Sequence, residues 1–297
     1  MKLPARMLRL LPPVLLSLTG LITLLQILAY LLDYEAPAAN YFSVGAILPT
    51  IANVLTVLVV LAGCLLALLI PKNQLQLGTL PVRAASIPAA VGFLAGAIVL
   101  LLSLNTTASR FAVLFLLLGA AYALLSGYAP ARMSATSALL GFAAVLGCIL
   151  LDALYYFDSS LEMNAPVKVT VIIGLLCAML YYTGEIRILL GKPAPRLYMM
   201  LCFWLLGAGG LAALPIPIAA LAGAFARTTS PSNAPVLAQQ MYHPEYLAGA
   251  LIVLGTAISA GIRLWSWLRQ GAVPSAAEAP TGASEAGSSA GPGEGER

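Results

Sequence analysis

Apolar residues fall in long, nearly unbroken runs near positions 12–32, 45–70, 86–104, 111–127, 135–154, 167–188, 197–222 and 247–268. Most reach or pass the roughly 20 residues that an α-helix needs to cross the hydrocarbon core of a bilayer. Segments such as LTVLVVLAGCLLALLI and GAIVLLLSL show no polar–apolar alternation. Barrel strands would alternate over about ten residues, so the pattern predicts helices. Backbone groups in lipid must be bonded internally, and helices meet that demand alone. The expected fold is therefore all-α: a polytopic membrane bundle of about eight helices.

Composition leads to the same class. The chain of 297 residues is 61% hydrophobic and 9% charged, with a mean hydropathy of +0.95. Soluble domains carry about 25% charged residues. So little charge cannot cover a water-facing surface, which makes the lipid bilayer the first partner.

Charge then orients the chain. In alternate gaps between runs, or near the run ends beside them, lie Lys2, Arg6, Arg9, Lys72, Arg83, Arg132, Arg187, Lys192, Arg196, Arg263, Arg269 and Arg297. The other gaps hold only Arg110, Lys168 and Arg227. The positive-inside rule places the larger group, and with eight spans both termini, in the cytoplasm. The expected location is a bacterial cytoplasmic membrane. The net charge of +4 reflects this bias and gives no reason to expect a nucleic-acid partner.

Two regions make up the chain. Residues 1–271 form the expected transmembrane domain. From 272 to 297 the sequence is rich in Ala, Gly, Ser, Pro and Glu. It has too little apolar surface to offset its ordering entropy, and reads as a disordered cytoplasmic tail. Ala36-Pro37-Ala38 resembles a signal-cleavage site. The preceding apolar run is longer than a signal peptide needs, so a retained first helix is expected. Even numbers of spans per half are compatible with a four-plus-four parallel repeat. A Y-x-x-D pattern ending the first run (Tyr30 to Asp33) and the fifth (Tyr155 to Asp158) fits that organisation.

Polar residues inside the runs are the candidates for chemistry. Thr19, Thr23, Gln26, Tyr30 and Asp33 are spaced to share one helical face. They read either as interhelical hydrogen-bonding groups or as one wall of an outward-opening polar cavity. Thr50, Asn53 and Thr56 follow Pro49. An amide in hydrocarbon requires a partner, so Asn53 is expected to face the interior, near Gln26. Asp152, three residues before Tyr155, is the deepest acid on the outer side. Its bland reading is an acid at the interface, bonded to a Tyr or to Arg110. Glu185 lies near the inner end of the sixth run, with Tyr181 one turn back. If buried, it needs a cation from another helix. Pro215 and Pro217 follow Gly207, Gly209 and Gly210. Interior prolines remove backbone donors and clash with the previous turn, so this helix should be broken in its outer half. Broken helices often carry binding sites in transporters. The candidate ligand-binding set is therefore Gln26, Tyr30, Asp33, Asn53, Asp152, Tyr155, Pro215 and Pro217.

Other features read as structural. Gly92-x-x-x-Gly96 and Gly255-x-x-x-Ser259 predict close helix contacts, either within the chain or in a homo- or hetero-oligomer. Trp265 and Trp267, beside Arg263 and Arg269, read as interfacial anchors. Cys64, Cys148, Cys177 and Cys202 fall inside runs and read as small apolar residues. No spacing suggests a metal site or cofactor, and no catalytic motif is present. The leading expectation is a small permease-like or solute-binding bundle for a neutral or amphipathic molecule. It would be entered from outside between the first, second, fifth and seventh spans. A non-catalytic interaction or sensor subunit is the alternative. A lipid-modifying enzyme using Asp33, Asp152 or Glu185 is a weaker one.

Overall fold

The computed structural model describes residues 5–35, 41–69, 83–103, 106–128, 135–159, 162–190, 192, 194–218, 221 and 244–271. The tail from 272, the 36–38 motif, His243 and most of the last outer loop lie outside the described residues. The elements are α1 (Ala5–Leu32), β1 (Tyr34–Glu35), β2 (Tyr41–Phe42), α2 (Ile47–Leu69), α3 (Arg83–Ser103), α4 (Thr107–Tyr128), α5 (Ala135–Phe157), α6 (Pro166–Leu189), α7 (Pro195–Ala212) and α8 (Pro244–Gly271). Among the described residues, six helices, α2 to α6 and α8, are long and apolar enough to cross a membrane.

The two short strands pair antiparallel, Tyr34 opposite Phe42. Ser43 donates to the Asp33 carbonyl at 2.7 Å, tying this hairpin to the end of α1. Gly45, with φ +88°, then turns the chain into α2. A side chain at that φ would be strained, which is why glycine serves there.

The helices are arranged around α8. Contacts run in series from α3 through α4, α5, α6, α7 and α2 to α1, while α8 packs against α3, α6, α7 and, more lightly, α1 and α5. The two ends of the series, α1 and α3, make no comparable contact. Contacts therefore do not divide helices 1–4 from helices 5–8. The sequence explains why α8 is central. Ala248, Gly249, Ala250, Gly255, Ala257 and Ala260 are buried on several of its sides. Small residues allow backbones to approach closely in a membrane, where packing rather than water exclusion drives association.

The two small-residue motifs meet each other. A Cβ on Gly92 would lie 2.7 Å from the Leu251 carbonyl oxygen and 3.0 Å from the Gly255 Cα. A Cβ on Gly96 would lie 2.9 Å from the Ala248 carbonyl oxygen. These glycines serve contact between α3 and α8 within the chain.

The seventh run breaks where its prolines predict. α7 ends at Ala212, residues 213–214 form a turn, and 215–218 resume as a helical turn. Pro215 therefore sits at the start of a helical segment, where its missing N–H costs nothing.

Candidate functional site

Two features stand out among the described residues: an apolar groove and a buried polar centre. The groove has a volume of about 730 Å³ and lies between α1, α7 and α8. That is within the roughly 300–1,000 Å³ of small-molecule sites. From α1 it takes Thr19, Gly20, Thr23 and Ile27; from α7, Gly209, with Leu214 of the turn that follows; from α8, Ala257, Gly261 and Trp265 among others. Each of the three helices contributes a glycine to the lining, and at Gly209 a Cβ would lie 2.6 Å from the Ala257 Cβ, so α7 and α8 pack closely there. A Cβ built on Gly20 would meet nothing within 4 Å. The Thr23 hydroxyl donates to the Thr19 carbonyl at 2.9 Å. The groove is thus apolar, with two hydroxyls on one wall and an indole towards one end.

The polar centre joins α4, α6, α7 and α8. Arg263 Nη1 lies 2.5 Å from Glu185 Oε1. Tyr198 donates to the same oxygen at 3.2 Å, and Tyr122 donates to Oε2 at 3.5 Å. Arg263 Nη1 also donates to the Tyr198 hydroxyl at 3.2 Å. The Tyr181 hydroxyl, expected on Glu185, instead pairs with Ser259 Oγ at 3.5 Å. Its ring stacks on Tyr198 at 5.4 Å, and the guanidinium carbon lies 6.0 Å from the Tyr181 ring centroid. The cation that Glu185 needed therefore comes from Arg263, read from sequence only as a basic residue of the inner belt. Its partner was legible as a requirement but not as an address, because the two residues are far apart in the chain.

A second tyrosine cluster sits at the opposite end. Tyr155 accepts a bond from the Gly249 N–H at 2.9 Å and stacks on Tyr246 at 4.8 Å. Tyr246 donates to Asp158 Oδ2 at 2.8 Å. Lys168, fully buried, donates to the Asp158 carbonyl at 2.7 Å.

The polar stripe of α1 faces inward as predicted, but its residues serve different neighbours. Thr19 and Thr23 line the groove. Gln26 and Tyr30 are each 1% exposed, and the Tyr30 hydroxyl lies near Thr170 of α6. Asp33, half-buried, caps the hairpin contact described above. Asn53 is a correction: it is exposed on the outer face of α2 rather than directed at Gln26. Ala52 and Thr56, on the neighbouring stripe of α2, take the interior positions instead. Asp152 is a second correction. Both of its carboxyl oxygens are buried with no hydrogen-bond partner among the described residues, so neither a tyrosine nor Arg110 holds it. Tyr155 and Pro215 are buried and Pro217 half-buried. None of the eight candidate residues lines the groove.

Comparison with protein-family models, curated proteins and solved structures finds no match.

The groove was missed in the sequence because its lining is ordinary apolar material. Trp265, expected to serve as an interfacial anchor, is one of its walls. The available signal was Gly20 between two inward-facing threonines. Cys148, Cys177 and Cys202 are buried free thiols, and Cys64 is half-buried and accepts a bond from Trp204 Nε1 at 3.3 Å.

Proposed function

We propose that this chain is an eight-span protein of a bacterial cytoplasmic membrane, both termini inside, that takes a neutral or amphipathic molecule sideways from the bilayer into the α1/α7/α8 groove. The observation that carries this reading is a 730 Å³ space bounded by three helices and walled mainly by apolar side chains. A solute arriving from lipid needs no polar path. Thr19 and Thr23 offer hydroxyls to a small polar group on the ligand, and Trp265 offers a ring face. The lining supplies no acid, base or nucleophile, which favours binding or passage over a chemical step. The break before Pro215 adjoins Leu214 of the lining and gives α7 a hinge next to the groove. That combination resembles the broken-helix sites of permeases more than a rigid scaffold.

The test uses the full chain in phosphatidylcholine vesicles with a photoactivatable, alkyne-tagged monoacylglycerol. Adducts should concentrate on residues 19–27 of α1 and 254–265 of α8. Gly20→Leu should fill the groove and reduce them about fivefold or more, a loss of roughly 1 kcal/mol in binding. The protein should remain folded, because the site has open space for a side chain. Labelling spread evenly over the lipid-facing helices, or unchanged in Gly20→Leu, rejects the reading.

A further inference from the structure

α2 is the least enclosed of the long apolar helices, with 28% of its apolar window buried against 67% for α8. Its buried positions Ala52, Thr56, Val59, Gly63 and Ala67 recur every three or four residues, giving one stripe that meets α1 and α7. The remaining surface carries exposed Val54, Val57, Leu58, Leu61 and Leu65. Asn53 lies within this exposed surface. No described residue bonds its amide. Thr50, one turn earlier and also exposed, has a local solution: its hydroxyl donates to the Ala46 carbonyl at 3.0 Å. An asparagine side chain can donate to the carbonyl one turn back, but its amide oxygen finds no donor there, because interior N–H groups are already used by the helix.

Asn53 is the seventh residue of α2, about 9 Å along the axis from its start at 1.5 Å per residue. At 23 residues α2 is about 34 Å long against a hydrocarbon core of about 30 Å, so a centred α2 puts Asn53 inside the core, where each unmet polar group costs several kcal/mol. The small-residue motifs that commonly join membrane helices are already spent between α3 and α8.

We propose that α2 forms a two-fold interface with a second copy of this chain, centred on Asn53. An amide both donates and accepts. Two copies related by a two-fold axis bring the same residue to itself, so paired Asn53 side chains exchange reciprocal N–H···O bonds and each satisfies the other. Lipid tails offer neither a donor nor an acceptor. Val57 and Leu61, one and two turns further on, supply the flanking packing. An unrelated partner would have to present its own intramembrane amide at matching depth, whereas a second copy does so by symmetry.

The experiment measures energy transfer between donor- and acceptor-labelled full chains in phosphatidylcholine vesicles, diluted with lipid. The native chain should dimerise. Asn53→Leu should weaken dimerisation about tenfold, consistent with roughly 1–2 kcal/mol for interhelical amide bonds, and Asn53→Gln should retain most of it. Because Asn53 is exposed, folding should be unaffected. In a Cys64→Ala background, Val57→Cys should form a disulfide between copies. A monomer at every dilution overturns the proposal. So does an Asn53→Leu chain that dimerises as well as the native one, or a dimer that Val57→Cys fails to cross-link.

Discussion

The Glu185 carboxylate faces Arg263 at 2.5 Å and accepts from two tyrosines, in a core otherwise built of aromatic rings and small apolar residues. Desolvating two charges is costly, and their attraction repays it only when the geometry is good and further hydrogen bonds complete the pair. Tyr122 and Tyr198 provide those bonds. Removing one partner leaves a buried charge unmatched. Arg263→Leu should therefore destabilise the fold by about 3–5 kcal/mol, while the double variant Glu185→Leu with Arg263→Leu should recover most of that loss. Unfolding titrations in detergent micelles would measure both. A double variant as unstable as the single one would mean that the tyrosine hydroxyls, not the charges, carry the energy. Asp152 makes the contrast at the same scale: its oxygens are buried without a hydrogen-bond partner among the described residues, whereas the Glu185 site is nearly complete.

Helix faces are set by where small residues fall. α3 and α8 approach until Gly92 and Gly255 touch, because a single Cβ at Gly92 would press on backbone rather than on a flexible side chain. Backbone cannot yield as a side-chain tip can. Gly92→Val should therefore cost about 1–3 kcal/mol in the same unfolding assay, the usual penalty of overpacking. Gly20→Ala, with open space at the Cβ, should gain up to about 1 kcal/mol through helix propensity. Equal effects at the two positions would reject the close α3–α8 contact. In α7 the decisive residue is Pro215, which stops the helix at Ala212 and restarts it after a two-residue turn.

At the scale of the molecule, the last helix is the hub, and the others are packed about it in an order different from the chain's. Glu185, Tyr198 and Arg263 meet, which puts the end of α6, the start of α7 and the end of α8 at one end of the bundle. Arg187, Lys192 and Arg196 belong to this end by chain proximity. Lys168, held against Asp158 at the end of α5, belongs to the other. Arg187, Lys192 and Arg196 therefore lie at the end opposite Lys168, the arrangement that the charge pattern requires of these four. Reporter fusions should read cytoplasmic after Arg269 and external at Ser160 and Ser232. An external reading after Arg269 would overturn the proposed eight-span topology.

Hydrophobic periodicity by itself determined the helices, their approximate limits and the break before Pro215, because run length and proline geometry are local properties. It also required that Gln26 be shielded and that a buried Glu185 find a cation, because desolvation penalties are the same wherever the partner lies. What it left open was every choice among faces. Gln26 and Asn53 carry the same chemical demand, yet the first is buried and the second faces outward on α2. The sequence of α2 allows either rotation, and only packing against α1 and α7 selects one. The identity of Arg263 as the partner of Glu185, the central place of α8 and the open space beside Gly20 were likewise decided by tertiary structure. Each depends on which helices become neighbours, and in a uniformly apolar chain that is settled by the fit of small and large side chains rather than by any residue's own preference.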